Sequence, residues 1–163
     1  MVDKRLARSE RTHVGRRPRT TYTLTGEGRC ALESWLATPP RATSLECEAL
    51  LRILFADLCT PDQLRVALDQ VRADAEAILA VGRTVGREYL DGTAPFQDQV
   101  HVRAFVFDFL SHHARMLLEW AERTDAELSR WPQLTHEQRA KRALASIRRD
   151  LREFPPAASE RDG

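Results

Sequence analysis

The stretch from Phe96 to Arg130 constrains this chain more than any other. It contains no Pro or Gly. Val102, Phe105, Val106, Phe109, Leu110, His113, Leu117, Trp120, Ala121, Thr124 and Leu128 lie along one broad face at helical spacing. The stretch therefore reads as a single long helix, where the average helix has about 11–12 residues. A small domain has little of its own to cover so long an apolar face. Two packings satisfy it: stripes of two chains joined in a bundle, or a four-helix bundle within one chain.

The elements around it fit either packing. Thr60-Pro61-Asp62-Gln63 is a helix start, with Thr as cap, Pro at the first helical position and Gln three after the cap. Leu64, Leu68, Val71, Ala75 and Ile78 follow, four and three apart, the seam of a coiled coil. Gly82, Gly86 and Gly92 are expected to loosen the region after it. The regular helix should end between Val85 and Leu90, before a loop over 91–95. Thr135 and Gln138 repeat the start signal ahead of Ala140, Leu144, Ile147, Leu151 and Phe154, and Pro155-Pro156 closes that helix. Upstream, Ser44 is expected to cap a helix bearing Leu50, Leu51, Ile53, Leu54, Phe55 and Leu58. These are apolar nearly all round, so burial on several sides is predicted.

The first part of the chain differs in kind. Val2 to Ser9 and Thr20 to Leu24 have strand composition and should pair as a hairpin, with 10–19 as a loop of about ten residues. Arg16, Arg17 and Arg19 cluster at its tip around Pro18. Thr25 can cap a short helix carrying Ala31, Leu32, Trp35 and Leu36, stopped by Pro39-Pro40. The formal net charge is only +1, but residues 1–29 hold eight basic groups against three acidic ones. A basic head on a mildly acidic body suggests that the head meets a polyanion; the alternative is a solvated basic hairpin.

The run Gly15-Arg16-Arg17-Pro18-Arg19-Thr20-Thr21-Tyr22-Thr23-Leu24-Thr25, with Gly28-Arg29 and Leu32-x-x-Trp35-Leu36, resembles the wing and following helix of PadR-type winged-helix transcriptional regulators. The stretch from Leu50 to Asp57 resembles the start of that family's C-terminal helical region, and Trp120 is similar in type and place. The resemblance covers roughly residues 1 to 131. It implies a mainly α fold: a two-stranded wing hairpin plus short helix at 1–38, then a long-helix dimerisation domain from 44, which the helical periodicity after Thr135 extends to 154. The tail at 155–163 is expected to be disordered. Because Met1 to Lys4 already resembles the first wing strand, the recognition helix is expected to be absent from this chain.

The resemblance also implies a role, a DNA-binding homodimer expected to repress and to respond to a small-molecule effector. In the wing, Arg16, Arg17 and Arg19 would contact phosphate or the minor groove, with Arg11 and His13 as weaker candidates. Leu64, Leu68, Val71, Ile78, Phe105, Phe109, Leu117 and Trp120 would supply the dimer and bundle core, and Trp120 could line an effector pocket. The alternative is a helical dimeric interaction module without specific DNA binding.

Other chemistries find no support. There is no nucleophile elbow, phosphate loop, dinucleotide fingerprint or zinc-protease motif, so an enzyme is not expected. Cys30, Cys47 and Cys59 are widely spaced and odd in number, which fits reduced thiols in a cytoplasmic protein. His112 and His113 are adjacent and point about 100° apart on a helix, a poor start for a metal site. No cofactor, metal or membrane span is expected.

Overall fold

The computed structural model describes residues 6–15 and 17–154, with Val14 and Arg17 as backbone only. It is mainly helical. Strands β1 (Ala7–Val14) and β2 (Arg17–Leu24) lead into α1 (Gly26–Leu36), α2 (Glu48–Leu54), α3 (Pro61–Leu90), α4 (Val100–Leu128) and α5 (His136–Glu153). Residues 1–46 and 47–163 form two compact units. Among the described residues no helix is long and apolar enough to cross a membrane. The tail at 155–163 lies outside them.

In the first unit β1 and β2 pair antiparallel, from Ala7 opposite Leu24 to Val14 opposite Arg17. This overturns the expected ten-residue loop. The ladder runs on past Glu10 to Val14, which pairs with Arg17. Gly15, at φ +63°, supplies the left-handed backbone that so tight a turn requires. The residues assigned to a loop, such as Thr12, are β-branched or otherwise compatible with a strand. Helix α1 starts as expected: the Thr25 side chain accepts from the Gly28 amide at 3.0 Å.

The second unit is built on the antiparallel pair α3 and α4. The seam read from the sequence is buried between them: Leu64, Leu68 and Ala75 are at most 1% exposed, and Ala114 and Ala121 are fully covered. The core continues through Ala49, Ala56, Ala67, Val71 and Leu128, flanked by Ile53, Leu117, Trp120 and Trp131. Thr60 forms both halves of the capping box with Gln63. Gly82 and Gly86 do not loosen α3. They stay helical through to Leu90 and leave room for the Phe107 ring, which a Cβ at Gly86 would meet at 3.4 Å. At the tip, Gly92 and Phe96 adopt positive φ, and Tyr89 donates to the Pro95 carbonyl at 3.2 Å.

Charges fasten the other end of this pair. Asp125 of α4 accepts from Arg65 Nε at 3.0 Å and from Arg72 Nη2 at 3.0 Å, both on α3. Arg65 also bonds Asp62 and Ser129, and Arg72 bonds Asp69. Burial opposes the Asp125 charge, yet the two guanidinium groups outweigh it and hold the carboxyl below its ordinary value. Arg142 of α5 clasps Glu127 of α4 through two bonds of 2.7 and 2.8 Å, which likewise lowers the Glu127 pKa.

Helix α2 departs from expectation. It begins at Glu48 with Cys47 at the cap, whose side chain makes no capping bond, rather than at Ser44. Three residues lie between Ser44 and Glu48, and the backbone over 41–47 is irregular. Nor is it buried on several sides: only Ala49 and Ala56 are covered, while Leu51, Leu54, Phe55 and Leu58 are each more than half exposed.

Candidate nucleic-acid interface

Strand alternation sorts the basic side chains of the hairpin. Successive residues point to opposite faces, and directly paired residues share a face. From the register, Ala7, Ser9, Arg11 and His13 share a face with Pro18, Thr20, Tyr22 and Leu24. Arg8, Glu10 and Thr12 share the other with Arg19, Thr21 and Thr23. The candidate residues are therefore split. Arg19 lies on the face with Arg8, Glu10 and the Thr12, Thr21 and Thr23 side chains, whereas Arg11 and His13 lie on the face with Tyr22 and Leu24. Arg17 is placed by its backbone opposite Val14, next to the turn. Arg16 lies outside the described residues.

Arg8, Arg11, His13 and Arg19 are exposed, and none makes an ion pair among the described residues. Solvated cations on a two-stranded ribbon cost little to present and stay free to meet phosphate. Arg8 escaped sequence reasoning, which placed it in a strand and stopped there. Its signal was alternation: once the register is known, it falls on the Arg19 face.

The hairpin is tied to α1 by close backbone packing. The Thr25 amide donates to the Leu6 carbonyl at 3.1 Å, and Gly28 is buried against the same group. A Cβ on Gly28 would stand 1.9 Å from the Leu6 oxygen. Glycine is required there by the approach of one backbone to another. This contact sets the angle between ribbon and helix.

The residues assigned to dimerisation divide by burial. Leu64, Leu68 and Val71 are spent on the core of their own chain, and Ile78, Leu117 and Trp120 are half-buried. Phe105 and Phe109 stay 76% and 68% exposed on α4, with Val102 and Val106 also open. Phe109 stacks on His113, with ring centroids 6.1 Å apart. Trp120 lines an open groove of about 1570 Å³ together with Ile53, Leu54, Trp131 and residues of α5. No group of His, Cys, Asp and Glu among the described residues is placed to hold a metal ion.

No protein-family model and no curated protein sequence matches the chain. Solved structures do. The PadR-like transcriptional regulator BC1756 of Bacillus cereus superposes with a TM-score of 0.57 at 18% identity, over 78% of this chain and 70% of that one. PadR of Bacillus subtilis, solved in complex with operator DNA, gives 0.54 at 17% identity over 78% and 72%. The virulence activator AphA of Vibrio cholerae gives 0.56 at 17% identity over 78% and 70%. The chain has the fold of PadR-like regulators.

Proposed function

We propose that this chain is a PadR-type transcriptional regulator that acts as a cytoplasmic homodimer, with the hairpin as its DNA-contacting wing. One observation carries the reading. The ribbon presents Arg8, Arg11 and Arg19 to solvent without ion pairs among the described residues, on a fold shared with a regulator solved on operator DNA. None of these cations contributes to burial, so their placement serves a partner rather than the fold. The expected mode is repression relieved by an effector. The groove beside Trp120 offers a half-buried aromatic wall where a ligand could shift the dimer geometry.

The homodimer rests on α4. Phe105 and Phe109 are large aromatic groups left open along a helix that is already packed on its other side. A contiguous apolar face of this kind marks an interaction surface. The same face supports the second reading, an interaction module that associates through α4 without reading DNA.

A salt titration separates the two. Within residues 6–154 the DNA-facing groups are cations on a ribbon, so binding should be dominated by phosphate. Affinity for unrelated duplexes should be in the range of about 10⁻⁴–10⁻⁶ M at physiological salt and should fall steeply as salt rises. Fluorescence anisotropy with two duplexes of different sequence measures both. No binding at low salt would leave the interaction module as the surviving account.

A further inference from the structure

Helix α5 is fastened to its own body by polar groups. Arg142 grips Glu127, and the Arg139 guanidinium lies 5.0 Å from the centroid of the Trp131 ring and donates to the Trp131 carbonyl at 2.8 Å. Ser146, Arg149, Asp150 and Glu153 line the groove on that same side. Leu144, Ile147 and Leu151 lie off the groove, and each is more than half exposed. No residue of α5 is buried. An amphipathic helix gains most of its stability from covering its apolar face, and here that face looks outward.

The charges on that outer side are of one sign. Residues 136–153 hold six basic groups against three acidic ones, whereas residues 30–135 hold ten against sixteen. A basic helix is thus attached to an acidic body. Of its three acids, Asp150 and Glu153 line the groove, which leaves only Glu137, in the first turn, on the outer side. Lys141, Arg148 and Arg152 fall within about 40° of one another round the helix, in a row about 16 Å long beside the apolar stripe. All three are exposed and free of ion pairs among the described residues. The outer side therefore asks for two things at once, apolar cover and negative charge. Duplex DNA supplies phosphate but nothing for Leu144, Ile147 and Leu151. A protein partner would have to set acids at fixed positions along an apolar groove. A sheet of anionic lipid headgroups offers both at any register.

We propose that α5 is a membrane-surface helix that lies flat on an anionic bilayer. Leu144, Ile147 and Leu151 enter the boundary between headgroups and acyl chains, and Lys141, Arg148 and Arg152 meet the lipid phosphates. The long stems of the three cations rest against the apolar side while their charged heads stay at phosphate level. Three aliphatic groups insert shallowly, so binding is reversible and requires negative lipid. The helix lies on the membrane and does not cross it, in keeping with the lack of a spanning helix among the described residues. This function goes beyond DNA binding and does not depend on it, since it uses none of the hairpin residues.

The test floats the full chain with vesicles of phosphatidylcholine alone and of equal parts phosphatidylcholine and phosphatidylserine. Capture by the mixed vesicles only, weakening as salt rises, is expected. Lys141, Arg148 and Arg152 changed together to Gln should lower partitioning about a hundredfold. Leu144→Gln with Leu151→Gln should lower it at least about tenfold, with the helical signal in circular dichroism retained, since these positions are exposed. Arg8, Arg11 and Arg19 changed to Gln should keep most of the capture, which separates α5 from the basic hairpin. No capture by the mixed vesicles at low salt would overturn the proposal, as would capture that the α5 variants leave unchanged. Two further results would also overturn it. If vesicles capture nothing and the leucine variant lowers the mass seen by light scattering, the stripe covers a second copy. If vesicles capture nothing and the α5 cation variant weakens duplex binding, the row serves nucleic acid.

Discussion

Gly28 shows how much one residue decides in the first unit. The Leu6 carbonyl occupies the space where any other residue would carry its first side-chain carbon, and backbone on both sides cannot yield as a flexible side chain would. Gly28→Ala should therefore destabilise the hairpin–helix unit by about 3 kcal/mol or more, the upper end of overpacking costs. Thermal melts and amide exchange on the variant should show early loss of hairpin protection, with α3 and α4 unaffected. Equal protection of the hairpin in the unmodified chain and in the variant would mean that the ribbon can swing away from α1 at no cost. The sequence displayed this glycine inside a motif without revealing its reason, since Leu6 is 22 positions away and the contact exists only once the ribbon has folded back.

At the scale of elements, the legible features were the local ones. Both capping boxes, the Thr25 cap and the four-and-three spacing of α3 are patterns that span a few residues, and each appears in the structure where it was read. The hairpin turn and the start of α2 were misplaced. Weak strand residues looked like loop until pairing with β2 recruited them, and Ser44 has no helix beside it to cap. Whether a helix face meets its own chain or another is not written in periodicity at all: α3 and α5 have similar spacing, and only α3 buries its stripe. Two predictions follow the α3–α4 pair. Leu68, fully covered at its centre, should cost about 2–5 kcal/mol when changed to Ala, read from denaturant unfolding. The Asp125 cluster sets a pH dependence. Its carboxyl has a folded pKa below the ordinary value of 3.8, so its stabilisation is complete above that value and is lost as pH falls through the folded one. Glu127, held down by Arg142, adds to the same acid limb. Melting temperature should drop between about pH 5 and about pH 2, and Asp125→Asn should flatten that drop while lowering stability at neutral pH. An acid limb unchanged in the variant would mean that the ion cluster contributes nothing to holding the two helices.

At the scale of the whole molecule, the proposed homodimer would couple assembly to DNA attraction, because two chains would bring two ribbons to one duplex. Each phosphate neutralised should add about 0.9 to the slope of log affinity against log salt. Changing Arg16, Arg17 and Arg19 together to Ala would remove six cations from a dimer and should flatten that slope by up to about 5, with little change in melting, since charged surface substitutions usually alter stability little. Phe109→Asp reaches the same slope by another route. Phe109 is 68% exposed within the chain, so the substitution should leave the fold of a single chain intact. In a dimer joined through α4 it would bury an unpaired charge at a cost of several kcal/mol, on the order of 3–5. The expected result is a monomeric mass by light scattering at micromolar concentration and a salt slope near half that of the unmodified chain, because each duplex then meets one ribbon at a time. The arginine variant should instead keep the dimeric mass and lose slope. A Phe109→Asp chain that stayed dimeric would move the interface away from α4. One that became monomeric with its slope unchanged would mean that a single ribbon accounts for all the phosphate contacts and that the second takes no part in binding.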